Sequence, residues 1–404
     1  MSRKKSVLIV IPSMELGGAQ KSLVSFLKGL QAQGYDKDYD IDLLIAKPAG
    51  LFMDQLPAFA RRLTPPAELL WLGTPRGDAL LAHSPSLRGR LGKARWILSN
   101  RQRLTAKRLN DDQRLWRNWK ALLRPLPGHY DVAIAYMNGF PNYYVIDKVR
   151  AKRKILWIHN EYEKLGYDAP FDRPYYEAAD GVVTISDVCR ESFLRVFPGL
   201  SSKVSVLANI TLAAEIRSKG ALAEAPEFEQ ADGVKILSVG RVCVQKQFEL
   251  AVRAAAALKQ RGLRFLWLIV GEGSESNRLE AEIRANALEA CFRIVGLRSN
   301  PYSYMARCDV FVQTSRFEGK SIVLDEAKLF GKPIVITDYP SAPDAITNGE
   351  NGLICPMDAE KLAAAIERAA LDAALRQRFA DALAKESGND QELARYVSIM
   401  LQGG

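Results

Sequence analysis

Histidine, cysteine and long apolar runs are all scarce in this 404-residue chain, and each shortage narrows what it can be. The three histidines, His83, His129 and His159, stand too far apart for a local metal motif, so no metal site is expected. Five cysteines, Cys189, Cys243, Cys291, Cys308 and Cys355, are odd in number and follow no metal-ligand spacing. Reduced thiols in a cytoplasmic protein fit that pattern better than a disulfide scaffold. Apolar stretches such as 7–11 and 265–270 fall well short of the ~18 residues needed to cross a bilayer, so no transmembrane helix is expected. The basic start, Met1 to Lys5, runs into a short apolar stretch with no small-residue cleavage site and is read as a first strand, not a signal peptide.

What is present is enough to bury real cores: 48% of residues are hydrophobic and 25% charged. The length suits two domains of ~100–200 residues each. The net charge of +10 is unevenly placed, because residues 85–124 hold twelve Lys or Arg against only Asp111 and Asp112. The rest of the chain balances at 44 charges of each sign. Trp96, Trp116 and Trp119 lie in the same stretch, and Leu115, Trp119 and Leu122 form a helical stripe beside Arg114, Arg117, Lys120 and Arg124. One reading is an amphipathic helix in the headgroup layer of an anionic membrane. The other is a helical insertion packed on its own domain with a solvated basic face. Nucleic acid is not expected as a partner, since no recognised binding module surrounds the charge.

Short apolar runs alternate with helical spacing along the whole chain. Strands are expected at 6–11, 41–46, 132–136, 154–159 and 181–185, then at 236–239, 265–270, 292–295, 310–314 and 333–336. Helices are expected between them, as at 19–31, 248–259, 275–285 and 322–330. Fully apolar strands separated by helices predict parallel sheets covered on both faces, here two doubly wound α/β domains in tandem. Their expected bounds are 1–208, with the basic insertion 85–124, and 234–386. Residues 209–233, rich in Ala and Glu, are expected to be a hinge. A final helical stretch within 387–404 could pack back on the first domain.

Four short motifs carry chemistry. Gly17-Gly18 stands at the entry to the first helix, where glycine lets backbone approach an anion, although a plain strand-to-helix turn accounts for the pair equally well. Gly271-Glu272-Gly273 follows a strand but lacks the third glycine of a dinucleotide fingerprint. Arg241 and Lys246 follow the strand at 236–239, at the sheet edge where ligands sit, and are placed to hold phosphates unless they are merely solvated loop charges. The stretch Ser315-Arg-Phe-Glu318-Gly319-Lys320-Ser321-Ile-Val-Leu-Asp-Glu326 follows another strand, with Ser321 expected as a helix N-cap and the amides of 320–322 open to a phosphate. Glu318 and Glu326 suit hydroxyl groups of a sugar and a ribose better than they suit phosphate, with Glu326 as an ordinary helix-dipole partner the alternative.

In order and spacing these residues resemble the retaining glycosyltransferases of family 4, which have the GT-B fold of two facing Rossmann-like domains. The resemblance rests on Gly17-Gly18-Ala19, on Val239-Gly240-Arg241 with Lys246, and on Val270-Gly271-Glu272-Gly273. It continues through Glu318 and Glu326 with seven residues between them, Gly331-Lys332-Pro333-Ile334-Val335, and Asn351-Gly352-Leu353. It is strong over 235–370 and patchy in the first half. It implies transfer of a glycosyl group from a nucleoside diphosphate sugar to an acceptor hydroxyl with retention, with no metal and no cofactor besides the donor. By the same resemblance Arg241 and Lys246 bind the diphosphate, which Gly17 and Gly18 approach, while Glu326 holds the ribose and Glu318 the transferred sugar. Gly319, Lys320 and Ser321 support sugar and phosphate, Leu297 and Arg298 lie by the base, and His159 stands beside the reacting carbon. Lys320 departs from the pattern, because many relatives carry an apolar or aromatic residue there. The implied acceptor is a saccharide or a lipid-linked saccharide of a bacterial surface polysaccharide or glycolipid, reached from the inner face of the plasma membrane. A nucleotide-sugar 2-epimerase of the same fold and an inactive basic membrane-surface adaptor are the alternatives.

Overall fold

A computed structural model describes the chain except residues 1, 2, 16, 67, 68, 70–108, 122, 223, 403 and 404. It divides into two compact units, residues 1–210 with 391–404, and residues 211–390.

The first unit is built on a parallel sheet of β1 (Lys5–Ser13), β2 (Tyr39–Lys47), β3 (Arg61–Leu63), β4 (Tyr130–Ala135), β5 (Ala151–Ile158), β6 (Gly181–Thr184) and β7 (Val204–Val206). Its strand order is β3-β2-β1-β4-β5-β6-β7. The run Val7, Leu8, Ile9, Val10 and Ile11 is wholly buried, as a central parallel strand requires. The chain moves outward from β1 to β2 and β3, then returns to the other side of β1 for β4. That reversal opens a crevice at the carboxyl ends of β1 and β4.

The second unit repeats this logic with β8 (Val234–Val239), β9 (Phe265–Val270), β10 (Phe292–Ile294), β11 (Val310–Gln313), β12 (Ile334–Thr337) and β13 (Leu353–Cys355), in the order β10-β9-β8-β11-β12-β13. Here the reversal falls between β8 and β11. Helix Phe248–Gln260 follows β8, and its Leu250, Ala251, Ala254, Ala255 and Leu258 are buried against the sheet. The three-residue strands β3, β7 and β13 were not expected, because runs so short carry no periodicity.

Two sequence expectations are corrected. Residues 209–233 are not a free hinge: from Thr211 onward they belong to the second unit, and helix Ala213–Gly220 buries Ile216 while Ala225 and Phe228 join the core around Tyr304 and Leu268. A few small and aromatic side chains suffice for that contact, so no apolar periodicity announces it. The tryptophans of the basic stretch are the second correction. Residues 85–108 of that stretch lie outside the described residues, but helix Asp111–Trp119 is described. It starts at a capping box formed by Asn110 and Gln113 and buries Gln113, Trp116 and Trp119, while Leu115 of the expected stripe is half-buried and Leu122 lies outside the described residues. Trp116 is 1% exposed, and its Nε1 donates to Asp147 Oδ2 and Tyr175 OH, both at 3.0 Å. Its ring packs on Phe140, Tyr143 and Tyr144. An aromatic cluster inside the unit has taken up Trp116, and Trp119 is buried as well, while Arg117, Lys120 and Arg124 remain exposed.

The C-terminal segment is a broken helix of Leu393–Tyr396 followed by a π-helical turn, Val397–Gln402. Within the first unit the Tyr396 ring lies 5.3 Å from Phe26 and 5.5 Å from Trp157, and its hydroxyl donates to the Ala208 carbonyl at 2.7 Å.

Candidate functional site

In the second unit, the two loops that flank the β8/β11 reversal bring the sequence motifs together. The loop after β8 carries Arg241, then a 3-10 turn Val244–Lys246, then Gln247 in the left-handed region (φ 52°) before the helix begins. A non-glycine residue there is uncommon and concentrates at functional turns. Lys246 is turned toward the loop after β11, and its Nζ donates to Glu318 Oε1 at 2.7 Å. Both side chains are largely buried, at 14% and 9% exposure. Arg241 is exposed and makes no salt bridge among the described residues.

The loop after β11 is braced from several sides. Ser315 Oγ donates to Glu318 Oε1 at 2.6 Å, Thr337 Oγ1 to the Ser315 carbonyl at 2.7 Å, and Ser341 Oγ to the Glu318 carbonyl at 2.7 Å. Arg316 N donates to the Gln245 carbonyl at 2.8 Å, and Gln245 Nε2 to the Phe317 carbonyl at 2.9 Å, which joins the two loops directly. Ser321 precedes helix Ile322–Lys328 but does not cap it. Its hydroxyl donates instead to Gln313 Oε1 at 2.6 Å, and Gln313 Nε2 donates to Tyr339 OH at 3.1 Å. The expected side-chain cap is thus corrected: the buried Gln313 carbonyl needs a donor and takes the one nearest. Lys320 Nζ lies 3.8 Å from Asp325 Oδ2. Burial raises the Asp325 carboxyl above its ordinary range, and the lysine works against that shift. Glu326 is buried and accepts from Tyr302 OH at 3.0 Å. Burial pushes the Tyr302 phenol well up, and the Glu326 carboxylate adds to it.

Glycines in this unit serve loop-to-loop packing. A Cβ at Gly271 would meet the Gly240 carbonyl, and one at Gly273 the Val242 carbonyl. The loops after β8 and β9 therefore touch backbone to backbone, with Val242 N donating to the Glu272 carbonyl at 3.1 Å. Gly271 also bridges to Gly296, which sets Leu297 and Arg298 beside the same edge. The Arg298 guanidinium is already engaged, donating to Tyr304 OH at 3.0 Å and Glu227 Oε1 at 2.7 Å. These bonds raise its pKa.

In the first unit, Gly17 and Gly18 stand at the carboxyl end of β1, where helix Gly18–Ala32 begins. Gly17 is extended, a conformation any residue adopts, and a Cβ there would meet only the flexible Gln20 side chain. His159 closes β5. Its Nε2 donates to the Tyr136 carbonyl at 3.0 Å, because a carbonyl only accepts, and Nδ1 is left as the ring's acceptor. The ring stacks on Trp157 at 5.8 Å. Burial lowers its pKa to about 4, with the Tyr136 bond working the other way.

Of the residues that sequence reasoning named, the fold brings Lys246 and Glu318 into contact, and Arg241 is exposed on the loop that carries Lys246. It missed the supporting Ser315, Gln245, Gln313, Thr337 and Ser341. Ser315 lies inside the motif stretch, but a serine in a loop carries no signal of its partner.

Residues 223–386 match the family described as "Glycosyl transferases group 1". The chain is 40% identical over 126 residues to an N-acetylgalactosamine-N,N'-diacetylbacillosaminyl-diphospho-undecaprenol 4-alpha-N-acetylgalactosaminyltransferase of Campylobacter jejuni, covering 31% of this chain and 34% of that protein. It is 31% identical to the amylovoran biosynthesis glycosyltransferase AmsK of Erwinia amylovora, over 33% of this chain and 35% of that one. To the lipopolysaccharide core biosynthesis glycosyltransferase LpsE of Rhizobium meliloti it is 33% identical, over 37% and 44%. The matches thus span about a third of the length of the curated relatives. Among solved structures, Anabaena Alr3699/HepE in complex with UDP and glucose superposes with a TM-score of 0.70 at 16% identity, covering 99% of this chain and 100% of that one, which shows a shared fold, the two-domain α/β GT-B class. The likeness to the glycosyl transferases group 1 family thus lies in residues 223–386, within the second unit.

Proposed function

We propose that this chain is a retaining, family 4 glycosyltransferase that moves a sugar from a nucleoside diphosphate sugar to a hydroxyl of a saccharide or lipid-linked acceptor, in the assembly of a bacterial surface polysaccharide or glycolipid. The observation that carries this is the meeting of Lys246 and Glu318 across the β8/β11 reversal, on a loop that also carries the exposed Arg241. Relatives named for amylovoran and lipopolysaccharide core synthesis support the acceptor class, and the neighbour holding UDP and glucose supports the donor class.

In this reading Arg241 and Lys246 stabilise the charge that builds on the leaving diphosphate, the kind of help that is usually the largest single contribution to catalysis. With that charge supplied by side chains, the reaction runs in the presence of a chelator. Glu318 accepts hydroxyls of the transferred sugar, with Gly319, Lys320 and Ser321 beside it. Glu326 accepts the ribose, while Tyr302 orients its carboxylate. Base contact falls to Leu297, since the Arg298 guanidinium is engaged elsewhere. Gly17 and Gly18 approach the diphosphate. His159 serves as a neutral hydrogen-bond acceptor near the reacting carbon, not as a cation. The exposed Arg117, Lys120 and Arg124 offer an anionic membrane surface an electrostatic contact that weakens with salt.

Thermal shift against UDP, GDP, ADP and their sugar esters tests the donor reading, since a ligand that binds only the folded state raises the melting temperature. Arg241→Ala and Glu326→Ala are each expected to abolish the shift. Variants that shift like the parent would place the donor site elsewhere. Product analysis with the acceptor omitted separates transfer from epimerisation, and flotation with anionic vesicles tests the membrane contact.

A further inference from the structure

The two oxygens of Glu318 are not equivalent. Oε1 accepts two short bonds, from Ser315 Oγ at 2.6 Å and Lys246 Nζ at 2.7 Å. Oε2 has one long contact, from Gln245 Nε2 at 3.4 Å, near the limit at which a hydrogen bond still counts. The two donors on Oε1 also differ in kind. Lys246 ends a flexible four-carbon stem and can turn its ammonium toward a phosphate. Ser315 is wholly buried on a short stem, and its own carbonyl is held by Thr337. The loop backbone cannot drift either, because Ser341 holds the Glu318 carbonyl.

We infer that Ser315 is a positioning residue for sugar recognition: it pins Oε1 of Glu318 and so presents Oε2 as the acceptor for a hydroxyl of the donor sugar, including when Lys246 turns to the diphosphate. This rests on the donor-site reading above and adds to it an atom and a residue. A buried acceptor built for one hydroxyl discriminates strongly against a ligand that leaves it unpaired. Ser315 therefore affects the sugar part of the donor and not the nucleotide part.

The test compares a nucleoside diphosphate with its sugar ester by titration calorimetry, using UDP with UDP-glucose, UDP with UDP-N-acetylglucosamine, and GDP with GDP-mannose as probes. For the pair that binds the parent, Ser315→Ala is expected to weaken the sugar ester about five- to tenfold, the worth of one buried hydrogen bond. Binding of the free diphosphate should stay within about twofold in the same variant. Ser315→Thr, which keeps the hydroxyl, should bind like the parent. In a Glu318→Gln background, Ser315→Ala should add nothing further to the loss of sugar-ester affinity, because the serine acts through that carboxylate. Equal weakening of both ligands, no weakening of either, or an additive loss on top of Glu318→Gln would each overturn the inference. A parent that binds none of the probes overturns the donor-site reading and this inference with it.

Discussion

At the reversal between β8 and β11 the second unit gathers its polar groups in two short loops, 241–247 and 315–321, where they bond one another across the crevice. At the reversal between β1 and β4 the first unit draws instead on residues far apart in sequence: Ser22 and Tyr136, hydrogen-bonded at 2.9 Å, are 114 positions apart. Polar groups in the first unit also turn inward. Asp172 accepts from Gln113 Nε2, Tyr143 OH and Tyr162 OH, each at 2.7 Å, deep among aromatic rings. Burial raises its pKa while those donors oppose the shift. Polar chemistry in one unit is spent on holding the fold; in the other it is concentrated in the loops at the β8/β11 reversal.

That contrast is broken most directly by removing charge from the second unit. Arg241→Ala is expected to lower kcat/KM about 100- to 1000-fold, the usual range for losing one group that stabilises developing charge. Its unfolding free energy should change by less than about 0.5 kcal/mol, as for other exposed sites. A variant that loses stability instead of turnover would put Arg241 among the structural residues.

The converse experiment falls on the first unit. Trp116→Ala deletes a buried ring and takes the indole donor from Asp147 and Tyr175, which keep the 3.3 Å bond between them. The expected cost is about 3–5 kcal/mol in chemical denaturation, with nucleotide affinity unchanged in the folded fraction. A small loss would mean that the helix carrying Trp116 docks only loosely, and would restore the membrane reading of that tryptophan.

His159 sharpens the comparison through pH. The unfolded chain takes up the proton near the ordinary value of 6.5 and the folded chain only near 4. Between those values the unfolded state binds more protons, so stability falls as pH falls, and above 6.5 the contribution is constant. The full span is worth about 3 kcal/mol at most. Unfolding curves from pH 4 to 7 should show this slope in the parent and lose it in His159→Gln. A parent whose histidine titrates near 6.5 by NMR would contradict the buried, Nε2-protonated ring.

How much of this was legible follows from locality. Glu318, Lys320, Ser321 and Glu326 sit within one stretch of loop and helix, and Arg241 and Lys246 within another, so their order and spacing, read with the family resemblance, singled them out. The strands that aim them were legible for the same reason, as continuous apolar runs. What spacing could not announce is which side chains meet across the fold. Trp116 and Trp119 alternate with arginines as a membrane helix would, and only Phe140, Tyr143 and Tyr144, packed on Trp116, give that ring an interior place. Residues 209–233 looked like a linker because their apolar contact with the core comes from a few scattered residues, Ala213, Ile216, Ala225 and Phe228 among them.

Ser321 gives the smallest expected effect and the finest discrimination. Serine before a helix usually caps it, and aspartate caps about as well, so a capping role predicts that Ser321→Asp is tolerated while Ser321→Ala costs about 1 kcal/mol. The observed bond runs the other way, from the Ser321 hydroxyl into Gln313 Oε1, while Gln313 Nε2 donates to Tyr339 OH and so fixes this orientation of the amide. A carboxylate at 321 would then face a carbonyl oxygen with no proton between them. Ser321→Asp should therefore be the more destabilising of the two, by about 1–3 kcal/mol beyond Ser321→Ala, since a buried acceptor is left unpaired. If aspartate proves equal to serine, either the hydroxyl is a helix cap after all or the Gln313 amide turns over with Tyr339 OH donating to its oxygen, and in both cases the observed brace does not fix the loop after β11.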